Sequence, residues 1–120
     1  EYKYGDSRLD FYMEKQDEKY LMEVKGCTLE IDGIGYFPDA PSERAVRHLH
    51  ELMHAAKQGY HCILAFVIAM PGVTVVRPNM TTHPAFGQAL SEAHKAGVDV
   101  WYLTCEITAD SIKAAELYKA

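Results

Sequence analysis

Residues 20–29 read YLMEVKGCTL, and the alternation of this stretch decides the fold. Successive side chains of a strand point to opposite faces, so Met22 and Val24 share one side while Leu21, Glu23 and Lys25 share the other. Upstream, residues 8–13 read RLDFYM and alternate in the same manner, with Leu9, Phe11 and Met13 on one face and Arg8, Asp10 and Tyr12 on the other. The polar KQDEK between them predicts a turn, so the two segments form an antiparallel hairpin.

The order of elements follows outward from that hairpin. A Gly- and Pro-rich passage, DGIGYFPDAP, leaves room for a third short strand. Ser42 then predicts the N-cap of a helix running to about Gln58, with Gly59 as its stop. HCILAFVIA, residues 61–69, is apolar throughout, as expected of a central strand covered on both faces. VTVVR at 73–77 reads as an edge strand, and Thr82 or His83 precedes a second helix over 84–95 that Gly97 ends. Residues 98–107 read as another strand, parallel to 61–69 through a right-handed crossover, and Asp110 as the cap of a short terminal helix. The expected architecture is α/β: one mixed sheet with flanking helices in a single domain, residues 1–120.

Composition agrees with one core and excludes several function classes. The chain has 120 residues, 48% hydrophobic and 24% charged, with no repeat or low-complexity tract. The longest apolar run, Cys62 to Met70, spans nine residues without basic flanks, too short for a membrane span or a secretory signal. Cys27, Cys62 and Cys105 are odd in number and far apart, which predicts reduced thiols in a cytoplasmic protein rather than a disulfide framework or a Cys-based zinc site. A formal charge of −5 argues against a surface that traps phosphate everywhere, and leaves room for a local basic patch.

Residues 50–54, HELMH, match His-Glu-x-x-His, in which two imidazoles one helical turn apart hold zinc and the carboxylate serves as base. On a wheel of roughly 100° per residue, Val46, Leu49, Leu52, Met53 and Ala56 define the buried stripe. His50 and His54 fall about 130° from its centre and face water. The extended motif would need Gly at 57 and His at 60, where this chain has Lys57 and Tyr60. A zinc hydrolase is rejected on these grounds.

Asp10, Glu23 and Lys25 form the better candidate, since the hairpin brings the polar face of one strand beside Glu23 and Lys25 on its partner. Charges within apolar strands are costly to bury unless they pair or bind a metal. Two carboxylates can hold Mg2+ or Mn2+, leaving positions for water and a phosphate oxygen, and the lysine can orient that water or stabilise developing charge. That is the chemistry of phosphodiester hydrolysis. From spacing alone, a salt-bridged polar face at a sheet end explains the cluster equally well.

SRLDF (7–11), YLMEVKGCTL (20–29), GYFPDAPSERAVRHLHELM (35–53) and ALSEAHKAGVDV (89–100) resemble, in order, the sugar fermentation stimulation protein family. FPDA followed by a Ser/Thr-Glu-Arg helix start is the specific signature. The resemblance implies a restriction-endonuclease-like PD-(D/E)xK core, normally preceded by an OB-like domain, in prokaryotic DNA-binding proteins linked to the regulation of sugar metabolism. It implies Asp10, Glu23 and Lys25 as catalytic residues and Asp10 and Glu23 as ligands of Mg2+ or Mn2+, while Arg8 and Arg44, as basic residues near them, are expected to contact nucleic acid. Ser7, Asp39 and Glu43 match the family signature without an assigned role. The alternative is a catalytically weak or inactive DNA-binding module on a nuclease scaffold. DNA and the OB-like domain of the same polypeptide are the implied partners, no membrane is, and a homodimer is left open. Leu9 stands where the motif's name has Pro, Ala45-Val46 replaces an expected Gly-Gln, and His83 an expected acid. The first core helix and the OB-like domain are expected to be absent from this chain.

Overall fold

The structure, a computed structural model, describes residues 2–4, 7–107 and 112–120. The hairpin forms between β3 (Phe11–Lys15) and β4 (Glu18–Cys27), which pair antiparallel with Phe11 opposite Met22. Gln16 and Asp17 turn the chain with positive φ at both positions, which matches the right-handed twist of the flanking strands. β4 pairs parallel with β7 (His61–Ile68), and β7 parallel with β9 (Asp99–Ile107), as the crossover rule predicts. With β10 (Ile112–Lys119) at the far edge, the sheet runs β10-β9-β7-β4-β3.

Two helices lie against one another, with α1 (Glu43–Lys57) also packed on β7. Ser42 caps α1 as expected, its hydroxyl accepting from Ala45 N–H at 3.2 Å, and Gly59 ends it at a φ of 93° that suits glycine. α2 (Pro84–Lys95) begins with proline in its first turn and stops at Gly97, φ 98°. The core between sheet and helices is built from Leu21, Leu64, Phe66, Leu49, Leu52 and Phe86, all fully buried. Burial of each such side chain contributes about 2 to 3 kcal/mol.

Four expectations are corrected. Residues 8–13 do not form one strand: β2 (Ser7–Leu9) pairs with β1 (Tyr2–Tyr4), the chain bends at Asp10, and β3 starts afresh at Phe11. The bend reverses the facing, so Leu9 is fully buried while Phe11 and Met13 are 59% and 54% exposed on an open apolar face shared with Met22, Ile63 and Trp101. VTVVR is not an edge of the main sheet, because β8 (Val76–Pro78) joins a separate three-stranded sheet, parallel to β6 (Ile34–Phe37), which pairs with β5 (Leu29–Ile31) around an Asp32-Gly33 turn. That sheet absorbs the third short strand expected before α1.

The buried stripe of α1 consists of Ala45, His48, Leu49, Leu52 and Ala55, rotated from the expected one so that Val46, Met53 and Ala56 lie at its margin. In place of a terminal helix, β10 (Ile112–Lys119) pairs antiparallel with β9 at the sheet edge. Asp110, the expected cap, lies outside the described residues.

Candidate metal and phosphodiester site

The break at Asp10 builds the site. Where β3 has parted from β4, the Asp10 carboxylate takes over as acceptor for the strand, with Val24 N–H donating to Oδ2 at 2.7 Å. Reciprocally, the backbone N–H of Asp10 donates to Glu23 Oε1 at 3.1 Å. The two acids are thereby locked together across the hairpin, one residue beyond its last regular pair.

Glu23 and Lys25 project from β4 towards α1, whose His48 meets them. Lys25 Nζ donates to Glu23 Oε2 at 2.8 Å, His48 Nδ1 lies 2.5 Å from the same oxygen, and Lys25 Nζ to His48 Nδ1 measures 2.9 Å. The side chains of His48 and Glu23 are 2% and 3% exposed, and that of Lys25 13%, so the triangle is nearly sealed with the ammonium at its opening. Structure therefore brings Asp10, Glu23 and Lys25 together as the sequence implies, and adds His48.

Burial is the main influence that raises the Glu23 carboxyl above its ordinary value; Lys25 opposes it by hydrogen bond and charge, and the neighbouring Asp10 charge adds to it. Burial likewise dominates at His48, and with the positive charges of Lys25, Arg44 and Arg47 it pushes the imidazole down to about 4, against a smaller opposing pull from Asp10. The ring is neutral at neutral pH. Its Nδ1 then either donates to Glu23 or accepts from Lys25, and the shorter contact favours donation to the carboxylate.

A buried carboxyl group beside a half-buried one, with one ammonium in contact, is a hard oxygen donor set that suits Mg2+, Mn2+ or Ca2+. Among the described residues, no group of three or more His, Cys, Asp or Glu side chains is gathered as a metal cage. Two carboxylates with water and phosphate completing the shell are the usual arrangement for Mg2+ at phosphate sites. HELMH takes no part: His50 and His54 are exposed, and His54 Nδ1 is hydrogen-bonded to the Tyr4 hydroxyl at 2.8 Å.

Arg44, on the exposed side of α1 one turn before His48, acts on the site through its charge. Asp39 is exposed just after the cis Phe37-Pro38 bond, and Glu43 lines a surface groove with Arg47, His50 and His83. His83 Nδ1 accepts from the backbone N–H of Ser42 at 2.9 Å and so ties the start of α1 to the start of α2. The side chains of Ser7 and Arg8 lie outside the described residues. The sequence carried one signal for His48 that was missed: Ala45, His48, Leu49 and Leu52 follow core spacing, so the histidine occupies a core position of the helix.

Residues 1–111 match the family model described as the sugar fermentation stimulation protein RE domain. The chain belongs to the sugar fermentation stimulation protein family. A sugar fermentation stimulation protein homolog of Desulfitobacterium hafniense (strain Y51) is 48% identical over 113 residues, covering 94% of this chain and 50% of that protein. The homolog of Methanothermobacter thermautotrophicus is 43% identical over 97 residues, covering 81% of this chain and 40% of that protein. Among solved structures, Pyrococcus furiosus SfsA in complex with Ca2+ superposes with a TM-score of 0.89 at 29% identity, over 96% of this chain and 50% of that one. This family member thus has the mixed α/β, nuclease-like SfsA fold, and spans about half the length of the curated relatives it matches. Among the described residues no helix is long and apolar enough to cross a membrane.

Proposed function

We propose that this domain carries a divalent-metal-dependent site for phosphodiester hydrolysis in DNA, in which Asp10 and Glu23 hold Mg2+ or Mn2+ and Lys25 serves the reacting water. The observation that carries this reading is the interlock of Asp10 and Glu23 across the hairpin with the Lys25 ammonium 2.8 Å from the Glu23 carboxylate. Support also comes from the SfsA of Pyrococcus furiosus, which is described in complex with Ca2+. A bound ion would supply Lewis-acid stabilisation of the phosphate and a more acidic water. Glu23 and Asp10 orient the ligand oxygens, because each is fixed by a backbone N–H of the opposite strand. Lys25, at the opening of the triangle, offers its ammonium to an entering phosphate oxygen or to the attacking water.

Arg44 and Arg8 are proposed to contact the phosphate backbone. The acidic balance of −5 leaves most of the affinity for DNA to the rest of the polypeptide, which we take to include the OB-like domain. The cellular setting is the cytoplasm, where the free thiols Cys27, Cys62 and Cys105 remain reduced, and the family's name links the protein to sugar metabolism.

One observation favours a second reading, a binding module without turnover: both Glu23 oxygens are already satisfied within the protein, by Asp10 N–H and by Lys25 and His48. Cleavage of plasmid and oligonucleotide DNA with Mg2+ or Mn2+ separates the two. Activity lost in Glu23→Gln and Lys25→Ala supports hydrolysis at this site; binding retained with no cleavage under any metal supports the module.

A further inference from the structure

We propose that His48 is a positioning residue of the site: from helix α1 its Nδ1–H donates to Glu23 Oε2 and holds that oxygen, and with it the Lys25 ammonium paired to the same oxygen, in the arrangement that receives the metal ion. The metal part of this inference rests on reading Glu23 as a ligand.

Three observations carry it. The imidazole nitrogen stands 2.5 Å from Glu23 Oε2 and 2.9 Å from Lys25 Nζ, closing a triangle whose third side is the 2.8 Å ion pair. Among the described residues, His48 and Glu23 are the two buried polar or charged side chains. Its neighbours on the helix, Ala45, Leu49, Leu52 and Ala55, are buried and apolar, so nothing else on that stripe of α1 can hydrogen-bond to the pair. The site is therefore assembled from two elements. The strand supplies the charged groups and the helix supplies the nitrogen that holds Glu23 Oε2.

A purely space-filling histidine would leave Glu23 Oε1 held by the Asp10 N–H but Oε2 held only by a flexible lysine. Groups that hydrogen-bond to a metal ligand typically change metal affinity by about 10- to 100-fold when they are removed. The contact is made by Nδ1, the nitrogen nearer the backbone, and this makes the inference sharply testable. The amide of asparagine places a polar atom where Nδ1 stands, whereas that of glutamine reaches only to the position of Nε2.

The experiment compares wild type, His48→Asn, His48→Gln and His48→Leu by titration with Mn2+ and by NMR of the Lys25 side-chain NH3+ group. Expected are near-wild-type Mn2+ affinity in His48→Asn and about tenfold or greater weakening in both His48→Gln and His48→Leu. The Lys25 NH3+ signal, shielded from exchange by the triangle, is expected in wild type and His48→Asn and lost in the other two. Should His48→Leu not fold, the asparagine and glutamine variants still decide the matter. Equal behaviour of these two in both measurements overturns the proposal. Failure of wild type to bind Mn2+, with the NH3+ pattern as expected, removes the metal reading and leaves the positioning of Lys25 standing.

Discussion

Acidification provides the most quantitative consequence of the buried triangle. His48 is held down to about 4 in the folded protein, against an ordinary 6.5 in the unfolded chain. Its contribution to stability is therefore complete above pH 6.5 and is lost as the pH falls from there towards 4, because over that window the unfolded state binds a proton that the folded state refuses. Each pH unit within the window costs about 1.4 kcal/mol. Between pH 7 and pH 5 the loss integrates to about 2 kcal/mol. Urea unfolding at both pH values, for wild type and for His48→Asn, isolates this part, since asparagine does not titrate. Wild type should lose about 2 kcal/mol more than the variant on acidification. Glu23 works in the opposite sense, its raised carboxyl taking up a proton more readily when folded, but that effect is common to both proteins. Equal losses, or a larger loss in the variant, would mean that His48 is charged in the native state and paired with Glu23, and would refute the reasoning.

Glu23→Gln leaves the largely buried Lys25 ammonium without its carboxylate partner, so the metal-free variant should melt below the wild type. Mn2+ at about 100 times its Kd should stabilise wild type by about 2.7 kcal/mol and the variant not at all, as read by thermal unfolding. Gly35→Ala would bring a Cβ to 3.0 Å from Cys27 Sγ and 3.2 Å from the carbonyl oxygen of Val75; a loss of about 1 to 3 kcal/mol in urea unfolding is expected. Cys62, buried and with its thiol pushed up to about 11, should resist a thiol reagent under native conditions while the less buried Cys105 reacts, as followed by mass spectrometry. Alanine at the exposed His50 should leave both stability, within about 0.5 kcal/mol, and Mn2+ affinity unchanged.

Much of the sheet and both helices were legible because each carried a local signal. The apolar run 61–69, the Ser42 and Gly59 boundaries and the Pro84 and Gly97 pair all report on their own backbone, and all appear where read. The face of Glu23 and Lys25 was legible for the same reason, since strand alternation needs no tertiary knowledge. Asp10 was readable as a candidate but not as the bend that makes the site, because that bend depends on a hydrogen bond to Val24 N–H across the hairpin. The terminal segment read as helix became β10 because pairing with β9 outweighs local propensity, as edge positions commonly allow. His48 escaped for a related reason: a polar residue on a buried stripe looks like an error of phase until its partners on another element are known. The tie of His83 to Ser42 likewise joins residues 41 positions apart and leaves no mark in either local sequence.

In the proposed site Asp10 and Glu23 share one hard cation with Lys25 beside it. The most direct test is anomalous diffraction from crystals soaked in Mn2+. A single peak within about 2.0 to 2.6 Å of oxygens from both carboxylates, absent in Glu23→Gln, is the predicted result. A protein without a peak there, or with manganese only at surface histidines such as His50 and His54, would contradict it.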